Sequence, residues 1–201
     1  MKLYYSPGAC SLAPHILLIE TGLDFTKERV DLKTHKTELG TDFYQINPKG
    51  SVPAIELDNK EVLTEGAVLI QYVADQKPEK NLMPKFGTLE RYRAQEWLNF
   101  VSTDIHKNFS PLFNSQNSDD VKNRSKDTLA KKFDYLSKHF EKNDFLMGPH
   151  FTGPDAYLFL CLRWTRSTGP DLTKWPRLLS FMERMQSIPS VQKAMAAEGL
   201  K

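Results

Sequence analysis

A cysteine near the start of the chain, Cys10, is the residue best placed for nucleophilic chemistry. It follows a β-prone run over residues 2–6 and a Pro7-Gly8 turn, and it precedes a helix-periodic run over residues 12–20. A thiol at a helix start faces free backbone N–H groups and the positive end of the helix dipole, which lower its pKa. The sequence therefore predicts a reactive Cys10 with Ser11 as a nearby donor, and a small buried hydrophobic residue is the alternative.

Two further segments contain the groups that a small peptide would need. Val52 and Pro53 begin a predicted strand after a glycine-containing turn. A cis bond before Pro53 would leave the Val52 N–H and C=O free to pair with a peptide-like ligand, whereas a trans bond would give an ordinary edge strand. Glu65 and Gly66 open the next predicted helix, where N–H groups can hold a carboxylate and Glu65 can meet an ammonium group. An α-amino acid head would satisfy both groups, and an ordinary helix start is the alternative.

A polar stripe follows one face of a long predicted helix over residues 88–114. Its members are Glu96, Asn99, Thr103, His106, Lys107 and Ser110. The opposite face is apolar and belongs in a helical core. The stripe is either a solvated face or the wall of a polar cleft, in which His106 would titrate near neutrality and could exchange a hydrogen bond with sulfur.

The elements that must position these residues change in type along the chain. Residues 1–80 have the order β-α-β-α-β-β-α, which predicts a mixed four-stranded sheet covered by helices. Within it, residues 42–47 are expected to form a short helix and residues 64–75 a longer one. Residues 81–86 are expected to be a linker, and residues 87–201 an all-helical domain. A capping pattern, Thr152 with Asp155, precedes one of its helices.

Composition excludes several classes of protein. The chain has 201 residues, and 27 basic against 25 acidic side chains leave a net charge of +2, which disfavours a dedicated nucleic-acid binder. Two cysteines cannot form a disulfide framework, and Cys161 lies in an apolar helical run that predicts an inert core residue. No signal peptide and no apolar run of about 20 residues is visible, so a cytoplasmic protein without a membrane anchor is expected.

Taken together, several segments resemble the bacterial beta-class glutathione S-transferases over nearly the whole chain. The segments are Tyr4-Tyr5-Ser6-Pro7-Gly8-Ala9-Cys10-Ser11, Asn47-Pro48-Lys49-Gly50-Ser51-Val52-Pro53-Ala54, Leu63-Thr64-Glu65-Gly66, Trp97-Leu98-Asn99, His106-Lys107, Asp155-Ala156-Tyr157-Leu158 and Ala197-Glu198-Gly199-Leu200-Lys201. The resemblance implies a thioredoxin-like first domain, a helical second domain, and a homodimer with glutathione in the cleft between domains. It implies no metal.

The resemblance also implies roles for individual residues. Cys10 would lie beside the glutathione sulfur, where it could form a mixed disulfide, and Val52 before a cis Pro53 would pair with the cysteinyl backbone. Glu65 and Gly66 would hold the γ-glutamyl head. The remaining residues implied to line the glutathione site are Ser11, His35, Asn99, Thr103, Asp104, His106 and Lys107, of which Asn99, Thr103 and Asp104 would come from the partner subunit.

Two positions depart from the family pattern. His35 stands where a lysine is frequent near the glycine carboxylate, so this contact becomes pH-sensitive or passes to Lys36. Thr103 replaces serine and keeps the hydroxyl. The electrophile site would be in the helical domain, with Phe109, Phe113 and Trp164 as candidates.

The predicted function is conjugation of the glutathione thiolate to hydrophobic electrophiles, a detoxification reaction in which Cys10 and His106 act at the site. Two alternatives stay open. The first is a glutathione-dependent redox enzyme that reduces disulfides or peroxides through Cys10. The second is a non-enzymatic binding module with the same fold.

Overall fold

The computed structural model describes all residues 1–201, and the chain forms two compact units. The first comprises Met1–Met83 together with Ile188–Lys201, and the second comprises Pro84–Ser187. The expected helical domain therefore differs from the structure at its end, since residues 188–201 belong to the first unit. The reason is the packing of the last helix, which lies against the first helix of the chain.

The first unit is built on a five-stranded mixed sheet with the order β3-β2-β1-β4-β5. The strands are Lys2–Tyr5 (β1), Thr26–Asp31 (β2), Lys36–Thr37 (β3), Ala54–Glu56 (β4) and Val62–Thr64 (β5). Only the β1 and β2 pair is parallel, and the other neighbours are antiparallel. This confirms the mixed sheet and the thioredoxin-like order of elements.

Two expectations for this unit were wrong. The sheet has five strands instead of four, because the two-residue strand β3 pairs with β2 at Val30 and Asp31. The helix expected over residues 42–47 is only a 3-10 turn, Phe43–Gln45, in which Asp42 accepts a hydrogen bond from Tyr44 N. Such short side-chain to backbone bonds compete with a longer helix.

Three helices belong to the first unit: Leu12–Thr21 (α1), Gly66–Asp75 (α2) and Pro189–Ala197 (α8). Helix α1 is apolar on nearly every face and most of its residues are buried, as expected for a helix that packs against both α2 and α8. Helix α2 begins two residues later than the sequence predicts, because Thr64 ends β5 and Glu65 occupies the N-cap position.

The second unit is helical, as expected. Its helices are Leu89–Phe100 (α3), Lys107–Phe113 (α4), Asp119–His139 (α5), Gly153–Arg163 (α6) and Pro176–Ser187 (α7). The helix predicted over residues 88–114 is continuous but not uniform, because a π-helical segment, Val101–His106, joins α3 to α4. The segment changes the helical period between Asn99 and His106, so the polar stripe does not follow a single straight line.

The start of α6 has the capping box that the sequence predicts. Asp155 accepts hydrogen bonds from Thr152 N, Thr152 Oγ1 and Leu146 N at 2.7–2.9 Å. The carboxyl group is completely buried. It therefore joins the loop before α6 to the first turn of the helix. No helix of the structure has the length and hydropathy needed to cross a membrane.

Candidate functional site

Three strand ends meet beside Cys10 in the first unit. Ala54 pairs with Tyr4 of β1 on one side and with Thr64 of β5 on the other. The chain just beyond each of these residues therefore reaches the same end of the sheet, which brings Pro53 next to Glu65. The loop that carries Cys10 leaves β1 at this same end.

The Cys10 side chain contacts the start of β4. Its Sγ donates a hydrogen bond to Val52 O over 2.9 Å. The structure thus brings together two of the residues that sequence analysis singled out. Only a protonated thiol can make this bond, since a thiolate has no proton to donate to a carbonyl oxygen.

The expectation of a lowered Cys10 pKa was wrong. Burial raises the pKa of the Cys10 thiol to about 12, and the negative charge of Glu65 acts in the same direction. The backbone N–H groups of Cys10 and Ser11 lower this pKa, as the helix-start argument predicts, but their effect is smaller than that of burial. Cys10 is consequently a neutral thiol at physiological pH in this structure.

Ser11 has a structural contact that leaves it little freedom as a donor to a ligand. Its hydroxyl accepts from Ser6 N at 3.1 Å and donates to Ser6 O at 3.2 Å, and the residue is completely buried. Ser11 therefore closes the turn between β1 and α1. Its expected role as a second donor at the thiol is not supported by this geometry.

Val52 and Pro53 have the backbone geometry that a peptide ligand requires. The Val52–Pro53 bond is cis, which is the alternative that the ligand-binding interpretation needed. Both side chains are buried. The Val52 carbonyl oxygen accepts from Cys10 and retains a second lone pair, and the Val52 N–H has no acceptor within the protein.

Glu65 has an uncommon backbone conformation at the start of α2. Its φ is 70° and its ψ is 111°, outside the regions that a residue with a side chain usually occupies. Strain of this kind persists where the surrounding structure imposes it, frequently at ligand clamps. The N–H groups of Gly66 and Ala67 follow directly and have no acceptor in the protein, as in the first turn of any helix.

Lys49 is a residue of this region that sequence analysis did not single out. Its Nζ makes an ion pair with Glu65 and a 3.0 Å hydrogen bond with Thr64 Oγ1. Both charged side chains are more than half exposed. An ammonium group therefore already lies where the ligand head was expected. The Asn47-Pro48-Lys49-Gly50 turn places a lysine close to Val52 in sequence, which could have indicated a charged group near the site, but only the turn was predicted there.

His35 is placed next to the turn that leads to Val52. Its Nδ1 is 3.1 Å from Gly50 O, and its ring stacks on Tyr44 with centroids 4.7 Å apart. Because a carbonyl oxygen only accepts, the proton of this bond is on Nδ1, and Nε2 remains for a ligand. This arrangement fits a contact by His35, whereas Lys36 lies in strand β3 with its side chain exposed.

His106 lies at the end of the π-helical segment of the second unit. Its Nδ1 is 2.7 Å from the Tyr157 hydroxyl, and its ring contacts Trp164 at 4.8 Å between centroids. Burial lowers the pKa of His106 to about 4, and the charge of Lys107 adds to this effect. The expectation that His106 titrates near neutrality was therefore wrong, and the imidazole is neutral at pH 7.

The other polar residues of this segment are bonded to one another. Thr103 Oγ1 lies 3.0 Å from Asn99 O and 2.9 Å from Asp104 Oδ2, and its one proton is shared between these two acceptors. Asp104 also forms an ion pair with Lys132, and these bonds hold the pKa of its carboxyl group below the usual range. The side chains of Asn99 and Lys107 are exposed.

The three candidates for the electrophile site form one aromatic cluster but differ in burial. Phe109, Phe113 and Trp164 contact one another with ring centroids 5.2–6.3 Å apart. Phe109 is completely buried, whereas Phe113 is 52% exposed and Trp164 is partly exposed. Phe109 therefore packs on the buried side of the other two rings. Of the three, only Phe113 and Trp164 are accessible to a ligand in this structure.

Two contacts were missed because they join distant parts of the sequence. Tyr157 faces His106 across 51 residues, and Glu198 faces Gly8 across 190 residues. Neither pair has a local spacing that would predict it. The Glu198 contact involves the loop that carries Cys10.

Comparison with known proteins identifies a family over most of the chain. The model of the glutathione S-transferase N-terminal domain matches residues 8–76, and that of the glutathione S-transferase C-terminal domain matches residues 100–189. A relative from Escherichia coli O157:H7, glutathione S-transferase GstA, is 43% identical over 201 residues, and the match covers the whole of both chains.

Solved structures agree with these matches. A bacterial beta-class glutathione S-transferase from Sphingomonas chungbukensis is 44% identical and superposes with a TM-score of 0.97. A sphingomonad glutathione S-transferase complexed with glutathione is 42% identical with a TM-score of 0.96. In both cases the match covers 100% of each chain.

Proposed function

The chain belongs to the glutathione S-transferase family, and from this premise we propose that it is an enzyme that conjugates glutathione to hydrophobic electrophiles. The proposal is supported by one observation above all. The Cys10 thiol, the Val52 backbone and the first turn of α2 behind Glu65 converge at one end of the sheet. A γ-glutamyl-cysteinyl peptide could place its thiol beside Cys10, pair its cysteinyl backbone with Val52, and direct its charged γ-glutamyl group to Glu65 and the first turn of α2.

Glutathione would bind through backbone and charge contacts of the first unit. Its cysteinyl backbone pairs with the Val52 N–H and C=O, which are the groups that a strand-like ligand uses. The ammonium of its γ-glutamyl head pairs with Glu65 and displaces Lys49, and the head carboxylate accepts from the Gly66 N–H. The glycine carboxylate accepts from His35 when Nε2 is protonated.

The reaction then needs a glutathione thiolate next to an electrophilic carbon. The glutathione thiol releases its proton to solvent, and its sulfur forms the new bond to the electrophile as the leaving group departs. When glutathione is bound, a neutral Cys10 can turn its single S–H from Val52 O toward this thiolate. That hydrogen bond lowers the pKa of glutathione and raises the thiolate fraction by about tenfold per unit. Holding sulfur and electrophile together removes orientational entropy from the step.

The raised pKa of Cys10 disfavours the redox alternative. Thiol–disulfide exchange requires Cys10 itself as a thiolate, and burial opposes that form. We therefore assign Cys10 the role of a hydrogen-bond donor to glutathione. Ser11 keeps the turn closed beneath it.

Further parts of the proposal concern the second unit. Phe113 and Trp164 would contact the electrophile, and neutral His106 with Lys107 would line the glutathione site. Asn99, Thr103 and Asp104 would reach the glutathione of a partner subunit.

Self-association is supported by a run of exposed apolar side chains at the start of the second unit, namely Phe86, Leu89 and Tyr92. Light scattering should then give twice the chain mass of 23.1 kDa.

We also propose a cytoplasmic location and a detoxifying role. Both cysteines are free, which suits a reducing compartment. Conjugation makes an apolar electrophile more polar and anionic, which is the usual chemical aim of such an enzyme.

The test is conjugation of glutathione to chlorodinitrobenzene, followed by absorbance against a blank without protein. We expect a rate that saturates with glutathione. Glu65→Ala should raise the glutathione KM by about tenfold to a hundredfold, since a charge-assisted contact contributes about 1.5–3 kcal/mol. Lys49→Met is the matched control, because it removes the partner of Glu65 without removing the head site, and it should leave KM unchanged or lower it.

A rate equal to the blank would overturn the conjugation proposal. An unchanged KM in Glu65→Ala would overturn the assignment of Glu65 to the γ-glutamyl head while leaving the reaction in place.

A further inference from the structure

The C-terminal segment, Ile188–Lys201, reaches the loop that carries Cys10. This segment belongs to the first unit, and its helix α8 packs against α1. Just after that helix, Glu198 Oε2 accepts a hydrogen bond from Gly8 N at 2.9 Å. Its other oxygen, Oε1, lies 2.8 Å from His15 Nδ1. One carboxyl group therefore bonds to the chain on both sides of Cys10.

These bonds are completely shielded from water. The Glu198 side chain is 0% exposed and that of His15 is 1% exposed. The His15 ring is enclosed by Tyr5 and Phe25, with centroids 6.0 and 5.7 Å away. A buried carboxylate without its donors would be strongly destabilised, so the geometry that provides both donors is strongly favoured.

The loop receives a support from the C-terminal segment at Gly8. Gly8 has a φ of 71°, in the left-handed region that glycine tolerates, and the Leu200 side chain lies 3.5 Å from the place of a Cβ there. The local bonds of the loop include those of the Ser11 hydroxyl with Ser6 and the turn bonds from Ala9 N to Ser6 O and from Leu12 N to Ala9 O. Glu198 adds a bond from a distant segment, since its carboxyl group accepts from the Gly8 N–H.

The position of the Cys10 sulfur depends on this loop. Cys10 is two residues after Gly8 and five before His15, so a shift of the loop would move Sγ away from Val52 O. We propose that Glu198 is a positioning residue, which holds residues 8–15 so that the Cys10 thiol stays hydrogen-bonded to the Val52 carbonyl. The C-terminal end of the chain thereby sets the accessibility and the protonation of the thiol.

The test measures Cys10 alkylation by iodoacetamide at pH 8 without glutathione, with the modified site identified by mass spectrometry. We expect Glu198→Ala to be alkylated at least tenfold faster than the unchanged protein, because the freed loop exposes the thiol. Glu198→Gln should be intermediate, since an amide keeps one acceptor oxygen. This conservative variant keeps the test informative if Glu198→Ala does not fold.

A matched control separates positioning from general support. Lys27 Nζ donates to Ala197 O at 2.6 Å, so Lys27→Met loosens the same helix end without touching residues 8–15. We expect this variant to be alkylated at the unchanged rate. If it is accelerated as much as Glu198→Gln, or if neither Glu198 variant is accelerated, the proposal is overturned.

Conjugation kinetics give a second readout, and this part rests on the proposed function. Glu198→Gln should raise the glutathione KM several-fold with a smaller change in kcat, because a displaced loop weakens binding first. A protein that fails to conjugate at all would refute the proposed function, but the alkylation rates would still decide the role of Glu198.

Discussion

Burial shifts the pKa values of Cys10 in the first unit and His106 in the second in opposite directions. Burial raises the pKa of the thiol to about 12 and lowers that of the imidazole to about 4. Desolvation penalises whichever form is charged, so an acid is kept protonated and a base is kept deprotonated. Both groups are thus neutral at pH 7, and the charge in the proposed reaction must arise on the substrate sulfur.

The two regions differ in how they are held. In the second unit Asp155 fixes the start of α6, and the partners of its carboxyl group lie within nine residues of it in sequence. Tyr157, which contacts His106, follows two residues later. In the first unit Glu198 holds Gly8, two residues before Cys10, across 190 residues. Both carboxyl groups are buried acceptors of loop N–H groups. One support is local and the other depends on the complete fold.

The largest expected effect concerns the thiol side of this comparison. At pH 7.5 the alkylation of Cys10 by iodoacetamide should be more than about a hundredfold slower than that of an exposed cysteine, because little thiolate forms. Its rate should rise about tenfold per pH unit up to pH 9.5. Cys10→Ala gives the background from the buried Cys161. A plateau of the rate below pH 9 would show that the helix start outweighs burial.

What the sequence could predict follows the same division between local and distant contacts. Most of the strand and helix order and the Thr152 and Asp155 capping box depend on neighbours within a few residues, and they were predicted. The sequence leaves the Val52–Pro53 bond open between cis and trans, and the structure has it cis. The direction of the Cys10 pKa shift was not predicted, because the helix-start donors are local whereas burial is produced by packing of distant segments. The same holds for His106, whose polar neighbours in sequence gave no sign that its ring would be partly buried against Tyr157 and Trp164.

The burial of Ser11 and Phe109 could not be predicted from the sequence, for a related reason. A hydroxyl beside a thiol and an aromatic ring near a polar stripe are compatible with a site, but only packing decides whether they are accessible. Ser11 bonds to Ser6, and Phe109 is completely enclosed. The Glu198 contact had no sequence signal, since nothing in a C-terminal glutamate indicates which loop it will meet.

The next effect tests the local support. Asp155→Ala should reduce the free energy of unfolding by about 3 kcal/mol, since it removes a cap and leaves the Leu146 and Thr152 N–H groups buried without acceptors. Urea unfolding followed by tryptophan fluorescence is suitable, because all three tryptophans, Trp97, Trp164 and Trp175, lie in the second unit.

Asp171 provides a matched control for Asp155. It also accepts from a helix-start N–H, that of Thr173 at 3.0 Å, but its side chain is exposed. Asp171→Ala should therefore cost only about 1 kcal/mol, because water replaces the lost acceptor. Equal losses in the two variants would mean that burial does not make the Asp155 support special.

The effect that is smallest over one pH unit concerns the imidazole side of the comparison. Because the pKa of His106 is lowered in the folded protein, the unfolded chain binds the proton more tightly between about pH 4 and 6.5. Its contribution to stability is complete above pH 6.5 and is lost as the pH falls toward 4, with a slope of up to about 1.4 kcal/mol per pH unit. His106→Asn should remove this part of the slope in urea unfolding. Identical slopes in the unchanged protein and His106→Asn would mean that His106 titrates normally, and the symmetry with Cys10 would fail.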